Sequence, residues 1–151
     1  FRSERVSVAE LIRRAAAPLM IPMELRGQEL GIHADSEEYT GDMQWSVEAI
    51  GNILKNCVEH TPEGGSIEIS AAENALFTEI VISDSGAGFE PGDIPHLFER
   101  FYRGKNADAA SVGIGLALAR TVIAAQNGTV AASNGKNGGA QFTVRFYKNI
   151  V

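Results

Sequence analysis

Hydrophobic residues along this chain recur with two periods, one helical and one of strands. From Asp42 to His60, Val47, Ile50, Leu54, Cys57 and Val58 keep helical spacing, while Glu48, Asn52, Asn56 and His60 recur at four-residue steps on another side. This predicts a helix capped by Asp42 and ended by the turn residues Thr61-Pro62-Glu63-Gly64-Gly65. An earlier helix is predicted from about Val8, with Ser7 and Glu10 at capping-box spacing, and it should end or bend near Pro18 to Pro22. Glu24 to Ala34 then reads as one or two short strands, and Ser36 to Asp42 as a polar loop.

The second half alternates more strictly. Ser66 to Ala72 and Leu76 to Ser83 read as a β-hairpin whose second, more continuously apolar strand is the more central in the sheet. Ser85 to Val112 has four glycines, two prolines and little periodicity; a connection that long inside a compact domain is usually functional or mobile. Gly113 to Asn127 is apolar almost all round, which predicts a well-buried third helix. Thr129 to Ser133 and Ala140 to Tyr147 form a closing hairpin, with Phe142, Val144 and Phe146 on one side of its second strand. The expected fold is α/β: a two-layer sandwich, with a mixed, mostly antiparallel sheet and about three helices on one face.

Composition narrows the functional classes. The chain has 151 residues, 44% of them hydrophobic, which suits a single globular domain spanning 1–151. A net charge of −6 and the lack of any basic run argue against nucleic acid as a partner. Cys57 is the only cysteine, so no internal disulfide can form, and its place on the apolar helix side reads as a small buried hydrophobe. The apolar runs are too short to span a bilayer, so no direct membrane contact is expected. With no signal peptide and a start at Phe1, the chain is expected to be a piece of a longer protein.

The chemistry concentrates at the junctions between elements. Asn52 and Asn56 share one helix face, and asparagine is a costly helix-interior choice unless its amide is used. Asp84-Ser85-Gly86-Ala87-Gly88-Phe89 follows the first hairpin, and the Phe-rich stretch LFERFYRG begins at Leu97. Gly113-Ile114-Gly115-Leu116 opens the third helix, where free N–H groups and the helix dipole favour phosphate, and NGGAQF begins at Asn137. Singly these stretches are weak signals. In this order and spacing the chain resembles the ATP-binding catalytic domain of bacterial sensor histidine kinases, a branch of the GHKL ATPase superfamily with the Bergerat fold.

The resemblance implies ATP and Mg²⁺ as cofactors. Asn56 matches the family's metal-binding asparagine, and Asn52 its companion toward the phosphates; both are the catalytic candidates. Asp84 matches the acceptor for the exocyclic amine of adenine, with Gly86 and Gly88 letting the backbone turn near the base. Gly113, Gly115 and Leu116 match the phosphate-side helix start. The long loop matches an ATP lid, in which Arg100 and Arg103 are equally readable as phosphate or partner contacts and as solvated charges. Departures from the family pattern are Glu59 where a cation is common, with Lys55 one turn earlier as a substitute or as its ion-pair partner, His60 where an aromatic packs beside adenine, Ala117 for a third glycine, Asn137 for a glycine and Ala140 for a hydroxyl residue.

The implied reaction moves the γ-phosphoryl group of Mg-ATP to a histidine nitrogen. His33, His60 and His96 lack the acceptor's sequence context, so the acceptor is expected on a separate dimerisation domain of the same protein, with a response regulator as the indirect partner. The expected location is cytoplasmic, as part of a membrane-anchored sensor kinase. A hydrolytic ATPase of the superfamily usually has a glutamate base where this chain has Asn52, which cannot take a proton. A serine kinase of the same superfamily and a non-catalytic ATP-sensing module remain alternatives.

Overall fold

The computed structural model describes residues 1–102 and 114–149. Strand β1 (Glu4–Ser7) leads into helix α1 (Val8–Ala16); a 3₁₀ turn over Ala17–Leu19 and the short α2 (Met20–Leu25) follow. Strands β2 (Glu29–His33) and β3 (Glu38–Gly41) precede the long helix α3 (Met43–His60). The hairpin β4 (Ser66–Glu73) and β5 (Phe77–Asp84), helix α4 (Gly115–Ala124), and the hairpin β6 (Gly128–Asn134) and β7 (Ala140–Tyr147) complete the described elements.

The main sheet has the order β2-β4-β5-β7-β6, parallel between β2 and β4 and antiparallel elsewhere. Strand β5 is its centre, and the alternation predicted for β4, β5 and β7 puts Ile67, Ile69, Ile80, Ile82, Phe142, Val144 and Phe146 into the core. Against them pack Leu11 and Ile12 of α1, Ile50, Ile53, Leu54 and Cys57 of α3, and Val122 and Ile123 of α4. This is the two-layer sandwich expected from the order of elements.

Helices α1 and α3 each begin with a side-chain cap. Asp42 accepts from the Trp45 N–H at 3.0 Å and from the Arg2 N–H at 2.6 Å, which lowers its carboxyl pKa, Arg2 having the larger effect. Ser7 accepts from the Glu10 N–H at 3.3 Å, but the reciprocal half of the capping box is replaced: Glu10 pairs with Arg13 and Arg14 at 2.5 and 2.8 Å. Those two guanidinium groups, Arg13 first, hold the Glu10 carboxyl at about 2.

Two expectations are corrected, for β3 and for α4, and two are narrowed within the range expected. The region read as a polar loop contains β3, which pairs with β1 as a separate two-stranded ribbon; Tyr39 and Gly41 of β3 alternate inward, but over four residues, with a glycine as one of the inward pair, the sequence does not show it. Glu24 and Leu25 end α2, leaving a single strand before Ala34. Pro22 lies in the first turn of α2, where its missing N–H costs nothing, and the break falls near Pro18. Helix α4 is buried on one side only, through Ala119, Val122 and Ile123. Its opposite side, with Ile114, Ala117, Leu118, Thr121 and Ala124, joins Phe98, Arg100 and Arg120 around an open depression of about 660 Å³.

Candidate functional site

Helix α3 supplies one wall of the site. Because Ile50, Ile53, Leu54 and Cys57 take its core side, Asn52 and Asn56 emerge half-buried along its flank. Among the described residues, neither asparagine amide hydrogen-bonds to any other group, so both are available to a ligand or to water. Gly115, the first residue of α4, stands directly opposite: a Cβ there would lie 3.6 Å from Asn52 Cγ. The start of α4 therefore faces the paired amides, and Leu116 behind it packs on the core. Lys55, Glu59 and His60 are exposed, and among the described residues Lys55 and Glu59 make no ion pair.

The far end of α3 meets the end of β5. Asp84 is the last residue of that strand, 9% exposed. Its Oδ1 accepts from the Gly86 N–H at 2.9 Å and the Ala140 N–H at 3.1 Å. Its Oδ2 is buried and has no hydrogen-bond partner among the described residues. A carboxylate oxygen left bare at this depth is costly, and a donor supplied by a ligand would remove the cost. Cys57 lies beside it; burial first, then the Asp84 carboxylate, pushes its thiol well above the ordinary range, so it stays protonated.

Glycines bring the surrounding backbone in. A Cβ on Gly86 would lie 2.6 Å from the His60 carbonyl oxygen, so this loop runs against the C-terminal end of α3. Gly88 has φ +79°, and a Cβ there would lie 2.3 Å from the Gly138 carbonyl oxygen. The tightest approach is Gly139, where a Cβ would stand 1.8 Å from the Asp84 carbonyl oxygen. The sequence marked this glycine pair only as part of a motif; its partner lies 55 positions away in the chain, and local spacing does not show that.

The start of the long connection is anchored from below. Phe98 and Phe89 meet the buried Phe142 ring edge-on, at 6.3 and 5.6 Å between centroids. Tyr102 donates to Asp93 and stacks on His96 at 5.2 Å, and His96 pairs with Glu99 at 2.5 Å. Phe101 points out, 66% exposed, with φ 63° and Arg100 at 6.0 Å. Arg103 and Gly113, singled out in the sequence, lie outside the described residues.

Asn52, Asn56, Gly115, Asp84 and Gly86 are thus distributed along one helix and the two loops that meet its flank. Among the described residues no group of three or more His, Cys, Asp or Glu side chains could hold a metal ion. A divalent cation here would rely on an amide oxygen together with oxygens of its own ligand, an arrangement that suits Mg²⁺.

This geometry belongs to a recognisable class. Residues 41–150 match the family model described as histidine kinase-, DNA gyrase B-, and HSP90-like ATPase, and the chain belongs to that family. Within it, the chain is similar to the sensor histidine kinase YvrG of Bacillus subtilis, at 32% identity over 113 residues, 74% of this chain and 20% of that protein. It is also similar to the signal transduction histidine-protein kinase BaeS of Escherichia coli, at 33% over 113 residues, 73% of this chain and 24% of that protein. The chain therefore spans about a fifth to a quarter of the length of these relatives. In three dimensions it matches the mycobacterial sensor histidine kinase MprB with a TM-score of 0.88 and 23% identity, covering 98% of this chain and all (100%) of that one. The catalytic domain of histidine kinase ThkA, nucleotide free, matches with a TM-score of 0.84 and 19% identity over 98% of this chain and 99% of the other. These two likenesses establish the fold.

Proposed function

We infer that this chain binds Mg-ATP between α3, the end of β5 and the start of α4, and donates the γ-phosphoryl group to a histidine on a separate dimerisation domain. The observation that carries the reading is Asp84, whose Oδ1 is tied down by two backbone donors while Oδ2 is buried without a partner among the described residues. An exocyclic amine on adenine would satisfy that oxygen, whereas the corresponding oxygen of guanine would repel it. Asn56 would hold Mg²⁺ by its amide oxygen, and Asn52 and the α4 N-terminus would receive the phosphates. Bound Mg²⁺ supplies charge neutralisation on the phosphate oxygens.

In the transfer, the bond from the γ-phosphorus to the β-bridging oxygen breaks, a phosphorus–nitrogen bond forms on the acceptor imidazole, whose other N–H proton passes to a general base beside the acceptor on that domain, and ADP leaves. This chain's residues contribute position and electrostatics, which is most of what phosphoryl transfer requires. Asn52 cannot act as a general base, which favours transfer over hydrolysis. A response regulator would then take the phosphoryl group, and the domain would work on the cytoplasmic side of a membrane-anchored sensor. Among the described residues no helix is long and apolar enough to cross a membrane.

The test is incubation of the chain with γ-labelled ATP and the histidine-bearing dimerisation domain of the parent protein. Acid-labile label on that domain is the expected result. ATP binding without phosphohistidine would overturn the kinase reading in favour of a sensing module, and label on serine would point to a serine kinase.

A further inference from the structure

Helices α3 and α4 lie side by side in opposite directions. Gly115 at the start of α4 faces Asn52, while Gln126, just beyond its other end, reaches the beginning of α3. Gln126 Oε1 accepts from the Asp42 N–H at 2.7 Å and from the Ser46 hydroxyl at 3.1 Å, and its Nε2 donates to the Val122 carbonyl at 3.2 Å. The Ser46 hydroxyl in turn accepts from the Tyr39 hydroxyl at 2.5 Å. Burial keeps the Tyr39 phenol protonated as that donor, and its ring lies flat on Phe146 at 3.9 Å. Gly41 makes room for this amide: a Cβ there would lie 2.4 Å from Oε1.

We propose that Gln126 is a positioning residue for the phosphate end of the nucleotide site, fixing how far α4 sits along α3 and hence where Gly115 stands relative to Asn52 and Asn56. The inference rests on the Mg-ATP reading of the site. Helix α4 fully buries only Ala119, Val122 and Ile123, with Leu116 and Leu118 packed partly against the core, and apolar contact of that kind is non-directional and tolerates sliding. Hydrogen bonds to two separate points of α3 do not tolerate it, and a polar latch is a known means of fixing register. An amide is needed, because it accepts from α3 while donating to its own helix. Glutamate would lose the bond to Val122 and set a second negative charge beside the Asp42 carboxylate.

Gln126→Met keeps length and volume while removing the latch. Calorimetric titration of the parent chain and this variant with Mg-ATP and, separately, with adenosine distinguishes positioning from general weakening. Mg-ATP affinity should fall ~5–10-fold, the scale of one or two lost hydrogen bonds, while adenosine affinity, set at the Asp84 end, stays unchanged. Ser46→Ala removes one donor and should act in the same direction but less, and the double variant should be no worse than Gln126→Met alone. This milder variant decides the matter if Gln126→Met fails to fold. Equal losses for both ligands, or unchanged Mg-ATP affinity in a parent that binds it, would overturn the positioning role alone. A parent chain that takes up no Mg-ATP would overturn the reading of the site, and this inference with it.

Discussion

Replacing Asp84 by asparagine separates the two jobs of its carboxylate. The amide of Asp84→Asn retains an oxygen for the Gly86 and Ala140 N–H groups, at 2.9 and 3.1 Å in the parent, so the loop and the start of β7 should keep their positions. The other oxygen, buried and without a partner among the described residues, becomes an NH₂ group. Against the exocyclic amine of adenine this sets donor against donor and removes a hydrogen bond to a charged acceptor, a loss of about 1.5–3 kcal/mol. The expected result is Mg-ATP affinity lower by about 10- to 150-fold, with any preference over Mg-GTP reduced or reversed. Calorimetry with both nucleotides, alongside thermal melting to confirm an intact fold, provides the measurement. Full Mg-ATP affinity with undiminished adenine preference would refute the assignment of the free oxygen to the base.

Three further outcomes follow from the same geometry. Asn56→Ala should leave melting unchanged but lower Mg-ATP affinity at least about tenfold and abolish its dependence on Mg²⁺, as read by titration with and without EDTA. Gly139→Ala places a methyl group 1.8 Å from the Asp84 carbonyl oxygen in the undisturbed backbone, so β5 and β7 must shift apart there; a cost of about 1–3 kcal/mol, or roughly 3–10 °C in melting temperature, is expected, and an unshifted melt would contradict it. The Glu10 carboxyl, held at about 2 by Arg13 and Arg14, lies below its unfolded value, so its contribution to stability is present above the ordinary carboxylate range and lost as the pH falls through about 2. Glu10→Gln should accordingly melt below the parent at neutral pH and converge with it in acid; a gap that widens toward low pH would reverse the sign.

Local periodicity made the long elements legible. Helix α3, with its Asp42 cap and its core and amide sides, could be read because both patterns repeat every three or four residues over 18 residues. The hairpins β4–β5 and β6–β7 could be read for the same reason at period two. Strands β1 and β3 escaped because four residues carry little pattern and their pairing joins positions about 35 residues apart, Arg5 to Thr40 for example. The burial of α4 was overestimated because an apolar surface does not state what covers it. At the site, the shared face of Asn52 and Asn56 was visible at a spacing of four. The link from Ala140 to Asp84, the steric demand at Gly139 and the Gln126 latch all join distant parts of the chain, and only the packed fold displays them.

The most direct measurement for the central claim is a crystal structure of the chain with Mg²⁺ and a non-hydrolysable ATP analogue. The adenine amine is expected on Asp84 Oδ2, the metal on the Asn56 amide oxygen and the phosphates between Asn52 and the start of α4. A nucleotide bound elsewhere, or one seated here with its base away from Asp84 and its metal away from Asn56, would contradict it.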